Sequence, residues 1–135
     1  MKELSIKAEM GNLGTVQDFV RTELEKNNCD FMIQMQIEIA IEEVYSNIAN
    51  YAYEYGGGMA IIRCEVSGSP LQAAIQFLDN GKPHNPLIKE DPDITIAAED
   101  RPIGGLGIFM IKQSMDSVEY SYENSMNILT IKKNL

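Results

Sequence analysis

Residues 31–53, FMIQMQIEIAIEEVYSNIANYAY, constrain the fold of this chain more than any other stretch. Ile37, Ile41, Val44 and Ile48 recur at spacings of three and four, which predicts a helix presenting one apolar stripe to a core. Asp30 stands where an N-cap belongs, and Gly56-Gly57-Gly58 reads as a stop. Glu43 and Asn47, four apart, stack on one face beside that stripe. A carboxylate and a carboxamide at the edge of a buried stripe are unfavourable without partners. A metal ion and a phosphate are partners of suitable chemistry.

The whole chain, residues 1–135, fits one domain with a real core. Its net charge of −9 argues against direct nucleic-acid binding, which normally relies on a basic patch. Cys29 and Cys64 lie far apart with no C-x-x-C pair, so neither a zinc site nor a disulfide framework is expected. Two free thiols, no signal-peptide pattern and no long apolar run suit a cytoplasmic protein without membrane attachment.

In chain order, residues 2–8 alternate as a short strand. Asn12 is a candidate cap for a helix carrying Leu13, Val16, Val20 and Leu24 and ending near Asn27-Asn28. After the central helix, 59–66 reads as a strand with Ile62, Cys64 and Val66 on one face. Ser67-Gly68-Ser69-Pro70 turns it into the next strand, 71–78. There Leu71, Ala73, Ile75 and Phe77 share one parity, and Asp79 falls on the same parity. Its carboxylate either points toward the core, where it needs a donor such as a ligand's exocyclic amine, or simply begins the turn Asp79-Asn80-Gly81.

Between Asn80 and Ile103 periodicity disappears among prolines and acidic residues, with a short helical turn possible at 94–98. A loop this long is either a binding lid or an idle surface segment. Ile103-Gly104-Gly105-Leu106-Gly107 then opens a helix through Ile108, Ile111 and Met115. These glycines serve either plain helix entry or close approach to an anion, and they match neither a Walker A motif nor G-x-G-x-x-G. Val118, Tyr120 and Tyr122 alternate, and 126–132 closes a hairpin across Glu123-Asn124-Ser125. The element order predicts an α+β two-layer sandwich, an antiparallel or mixed sheet with helices on one face.

Three features stand in a fixed order: Glu43-x-x-x-Asn47 on a helix, Asp79-x-Gly81 at a strand end, and Gly105-Leu106-Gly107 opening a helix. With EEVYSNIANYAY, FLDNGKPHNPL and GGLGIFMIKQSMDSVEY, the chain resembles the GHKL (Bergerat-fold) ATP-binding family from Lys2 to Lys132. Within that family it is most similar to the bacterial anti-sigma factor serine/threonine kinases. The resemblance implies ATP and Mg²⁺ as cofactors, with 80–104 as the lid. Glu43 would be the general base and Asn47 would give its amide oxygen to Mg²⁺. Asp79 would accept from the adenine amine, with Gly81 leaving room for the base. Gly105, Leu106 and Gly107 would face the phosphates, and Arg101 would contact the γ-phosphate or a partner.

Two departures accompany it. Tyr51 stands where many relatives carry His, at the pocket wall. His84, the only histidine, follows Pro83 in the lid and is given no role. Lacking a second, upstream phosphoacceptor His, the chain is not expected to be a complete two-component sensor kinase.

The implied activity is a protein serine/threonine kinase acting on an anti-sigma-factor antagonist, in a homodimer paired through the exposed face of the first strand, with a sigma factor as a further partner. A nucleotide-gated binding module without phosphoryl transfer is the alternative.

Overall fold

The computed structural model of the chain describes residues 1–54, 56–88 and 106–135. Arg101, Gly105, the 94–98 turn and most of the expected lid lie outside them. Five strands, β1 (Lys2–Lys7), β2 (Met59–Ser67), β3 (Gln72–Asp79), β4 (Ser117–Glu123) and β5 (Met126–Asn134), form one sheet in the order β1-β2-β3-β5-β4. Every pairing among them is antiparallel. Three α-helices accompany the sheet: α1 (Leu13–Lys26), α2 (Phe31–Asn47) and α3 (Leu106–Ser114).

Period-two alternation gives the sheet one apolar face. Across it, Leu4, Ile62, Phe77, Leu129 and Tyr120 stand side by side as one rung. The stripes of α1 (Val16, Val20, Leu24), α2 (Ile37, Ile41, Val44) and α3 (Ile108, Ile111) join that face in a single core. The chain is therefore the expected α+β sandwich, with its sheet antiparallel throughout the described residues. Burial of a side chain such as Ile37 or Ile41, each fully enclosed, contributes about 1.5–3 kcal/mol, so the stripe on α2 holds the two layers together.

Tyr45 adds a polar tie at the back of α2. Its hydroxyl accepts from the Glu9 N–H (3.1 Å) and lies 3.0 Å from the Lys7 carbonyl and 2.8 Å from that of Glu9. The ring is fully buried, so this one residue fastens α2 to the segment joining β1 and α1.

The two candidate caps behave differently. Asp30 has extended backbone (φ −59°, ψ 139°) and accepts from the Met32 N–H at 3.1 Å, as an N-cap should. Asn12 makes no cap hydrogen bond; its amide donates to the Lys7 carbonyl at 2.9 Å. The cause is local: α1 is entered from a 3₁₀ turn at Met10–Asn12, which leaves Asn12 at φ −95°, ψ 0° instead of the extended cap conformation.

The central helix also ends differently from expectation. It is α-helical to Asn47, widens into a π turn over Ile48–Ala52, and leaves helical geometry at Tyr53, before the glycines. Tyr53 decides this. Its hydroxyl donates to the Met59 carbonyl (2.5 Å) and accepts from the Asn80 N–H (3.1 Å), and its ring lies over Gly58. A Cβ at Gly58 would stand 2.2 Å from that ring, so residue 58 must be glycine. Gly56 and Gly57, at φ 73° and 78°, serve the turn into β2.

Candidate functional site

The next rung of the sheet carries Ile6, Ala60, Asp79, Asn127 and Tyr122, and places two polar groups on the apolar face. Asp79 is 6% exposed and shares its face with Ile75 and Phe77. The residue both begins the turn and points its carboxylate toward the core. Oδ1 caps the turn by accepting from the Gly81 N–H at 3.0 Å, while the carboxylate faces inward. Oδ2 takes no hydrogen bond from a described residue.

Asn127 holds the carboxylate there. Its amide donates to Asp79 Oδ1 (3.0 Å) and to the Lys82 carbonyl (3.0 Å). Its oxygen accepts from the His84 N–H (3.1 Å) and from the Tyr120 hydroxyl. Every donor and acceptor of the side chain is thereby satisfied, which makes Asn127 the fixed point joining β3, β4, β5 and the 81–84 turn. Gly81 has its own reason to be glycine: a Cβ there would lie 2.2 Å from the Ala52 carbonyl oxygen. The π turn and the β3 turn therefore touch backbone to backbone, and Lys82 N–H donates to the same carbonyl at 3.3 Å.

These elements enclose a cavity of about 530 Å³, within the range of small-molecule sites. Glu43, Val44 and Asn47 line it from α2, with Ile48, Tyr51 and Ala52 from the π turn. Phe77 and Asp79 come from β3, Lys82, His84 and Pro86 from the following segment, and Ile108 from α3. Tyr120, Asn127 and Leu129 close the sheet side. The lining thus combines apolar side chains, the Asp79 carboxylate, and the Glu43 and Asn47 pair.

Within that pair, Asn47 Nδ2 donates weakly to Glu43 Oε1 (3.4 Å), which turns the amide oxygen away from the carboxylate. Gly107, in the first turn of α3, packs against Glu43: a Cβ there would sit 2.1 Å from the carboxylate carbon. Glu43 and the start of α3 are therefore in direct contact. Leu106 heads the helix.

Glu43, Asn47 and Asp79 accordingly line one cavity, Gly81 and Gly107 touch its walls, and Arg101 and Gly105 are outside the described residues. Sequence reasoning missed Lys82, Tyr120 and Asn127. Asn127 had a signal, since it shares the strand parity of Leu129 and Ile131 and so placed an amide on a core-facing row. Lys82 had none. His84 is solvent-exposed, as expected, yet it is among the residues that line the cavity.

Among the described residues no group of three or more His, Cys, Asp or Glu could hold a metal. Mg²⁺ held by the Asn47 amide oxygen, phosphate oxygens and water fits this donor set. Among the same residues no helix is long and apolar enough to cross a membrane.

Residues 6–133 match the family profile of the histidine kinase-like ATPase domain. The serine-protein kinase RsbW of Bacillus cereus (strain AH820) is 31% identical over 100 residues, covering 71% of this chain and 61% of that protein. The protein of the same name from Bacillus thuringiensis (strain Al Hakam) gives the same identity and coverage. The chain thus spans less than two thirds of these relatives. Among solved structures, the RsbU and RsbW domains of a Mycobacterium tuberculosis protein share the fold, with a TM-score of 0.64 and 16% identity over 100% of this chain and 33% of that one.

Proposed function

Because the chain belongs to the histidine kinase-like ATPase domain family, we propose that its cavity binds ATP and that it phosphorylates a serine on an anti-sigma-factor antagonist. One observation carries this reading: Glu43, Asn47 and Asp79, from elements far apart in sequence, line the same cavity beside the start of α3. The likeness to proteins named serine-protein kinase supports the acceptor class. A sigma factor as second partner, a homodimeric state and a cytoplasmic location belong to the same proposal.

Asp79 Oδ2, left open by the Asn127 network, accepts from the adenine amine, and Phe77 and Ile48 form the apolar slot for the ring. Asn47 would supply its amide oxygen to Mg²⁺, which would offset phosphate charge. Backbone N–H groups of Leu106 and Gly107, with that of Gly105 outside the described residues, would serve the phosphates, with Lys82 as a cation for them and Arg101 directed to the γ-phosphate or a partner. In the transfer, the serine oxygen forms a bond to the γ-phosphorus and the bond from that phosphorus to the β–γ bridging oxygen breaks. ADP leaves, and the hydroxyl proton passes to Glu43.

The test is calorimetric titration of ATP with and without Mg²⁺, alongside transfer of labelled γ-phosphate to a serine-bearing antagonist protein. Glu43→Gln should lower transfer by a factor of about 10²–10⁴ while ATP binding persists. Unchanged transfer removes Glu43 as base, and absence of ATP binding by the wild type removes the whole reading. A wild type that binds ATP and grips a partner without labelling it would be the nucleotide-gated module.

A further inference from the structure

Glu43 borders two cavities. Beyond the one already described, a groove of about 390 Å³ runs between α2 and α3 and is lined by Ile39, Glu42, Glu43, Ser46, Gly107 and Met110, among others. Its rim is apolar and open, since Ile39 is 57% and Met110 56% exposed. Along α2 the apolar surface continues one and two turns back through Met35 and Met32, which are also exposed. An exposed apolar run on a helix whose opposite stripe is already buried calls for a partner.

We infer that this groove docks the hydroxyl-bearing segment of the phosphoacceptor protein, delivering its serine to Glu43 from the side opposite the nucleotide cavity. The inference rests on the reading of Glu43 as general base and adds where the second substrate enters. Geometry supports it, because Glu43 lines both cavities and can take the proton of a hydroxyl held in one while the phosphoryl donor lies in the other. The groove's own charges, Glu42 and Glu43, are both acidic. A second copy of this chain, at −9, would bring like charge to them, so a segment with an apolar residue and a basic residue near its serine is the occupant that fits.

The probe is a serine-centred random peptide pool with γ-labelled ATP, run with wild type, Ile39→Glu, Met110→Glu and Glu43→Gln. Ile39 and Met110 are exposed, so both variants should keep the fold and the wild-type affinity for ATP. The expected result is labelling by wild type, enriched for peptides with apolar and basic residues flanking the serine, and reduced about tenfold or more in each groove variant. Labelling unchanged in both overturns the groove as docking site while leaving the kinase reading intact. No labelled peptide from a wild type that binds ATP overturns it as well. Loss of labelling in Glu43→Gln with retention in the groove variants separates the two readings. Two further measurements guard against other occupants. A dimer that Met110→Glu converts to monomer assigns the groove to a second copy, and a Met110 methyl resonance unaffected by a soluble paramagnetic probe assigns it to the chain's own residues. Either outcome overturns the inference.

Discussion

Asn127 uses all of its hydrogen-bonding capacity inside the molecule, and that single side chain fixes the direction in which Asp79 faces. Replacing it with leucine keeps the branching of the side chain but strips partners from the His84 N–H, the Lys82 carbonyl and the Tyr120 hydroxyl. Asn127→Leu should destabilise the fold by about 3 kcal/mol in urea unfolding, the scale of several buried groups left unpaired, and weaken ATP binding alongside. Gly107→Ala tests a different residue-scale constraint. The added methyl would displace the Glu43 carboxylate, 2.1 Å away, so transfer should fall toward the Glu43→Gln level while stability changes by less than about 1 kcal/mol, because the carboxylate is the movable end of its side chain and alanine suits a helix better than glycine. Transfer at the wild-type rate would show that Glu43 need not touch α3.

Cys64 sets a pH limit: burial pushes its thiol from 9.0 up to about 12. Between those values the folded chain keeps a proton that the unfolded chain releases, so stability falls as pH rises through the window. Thermal melts from pH 7 to 10.5 should show the decline, and Cys64→Ala should make it shallower.

At the scale of elements, the two candidate caps give opposite expectations. Asp30→Ala should remove about 1 kcal/mol from the stability of the fold, because Oδ2 holds the Met32 N–H, one of the donors that the first turn of α2 leaves without a helical partner. Asn12→Ala should cost less, since that side chain caps nothing in α1; circular-dichroism melts of the pair settle the order. The element pattern was readable because each strand and helix carries its own periodicity: Ile37, Ile41, Val44 and Ile48 declare a 3.6-residue repeat, and Ala73, Ile75 and Phe77 a period of two. The ends were less readable. Asn12 is a good capping residue type, but the 3₁₀ turn before it sets its backbone angles. The glycines at 56–58 are good helix stops, but Tyr53, anchored 27 residues away at Asn80, acts first.

At the scale of the whole molecule, the cavity exists only because layers meet. Mg²⁺-ATP should bind the folded chain and not the unfolded one, adding about 2.7 kcal/mol of stability at a hundred times its dissociation constant. A thermal-shift series in ATP should follow that logarithmic law, and Asp79→Asn should flatten it for ATP more than for GTP. Equal responses to both nucleotides would remove Asp79 from base recognition.

By itself the sequence determined the α+β layering, the buried parity of Asp79 and the pairing of Glu43 with Asn47 on one helical face. Each of these follows from spacing within a single element, where backbone geometry converts distance along the chain into direction. The tertiary structure alone decided the strand order β1-β2-β3-β5-β4, the rung that sets Asn127 beside Asp79, and the backbone contact that makes Gly81 obligatory. It also decided that Glu43 stands between two cavities. Those features arise where elements distant in sequence touch, and no local periodicity encodes which residues will meet across that gap.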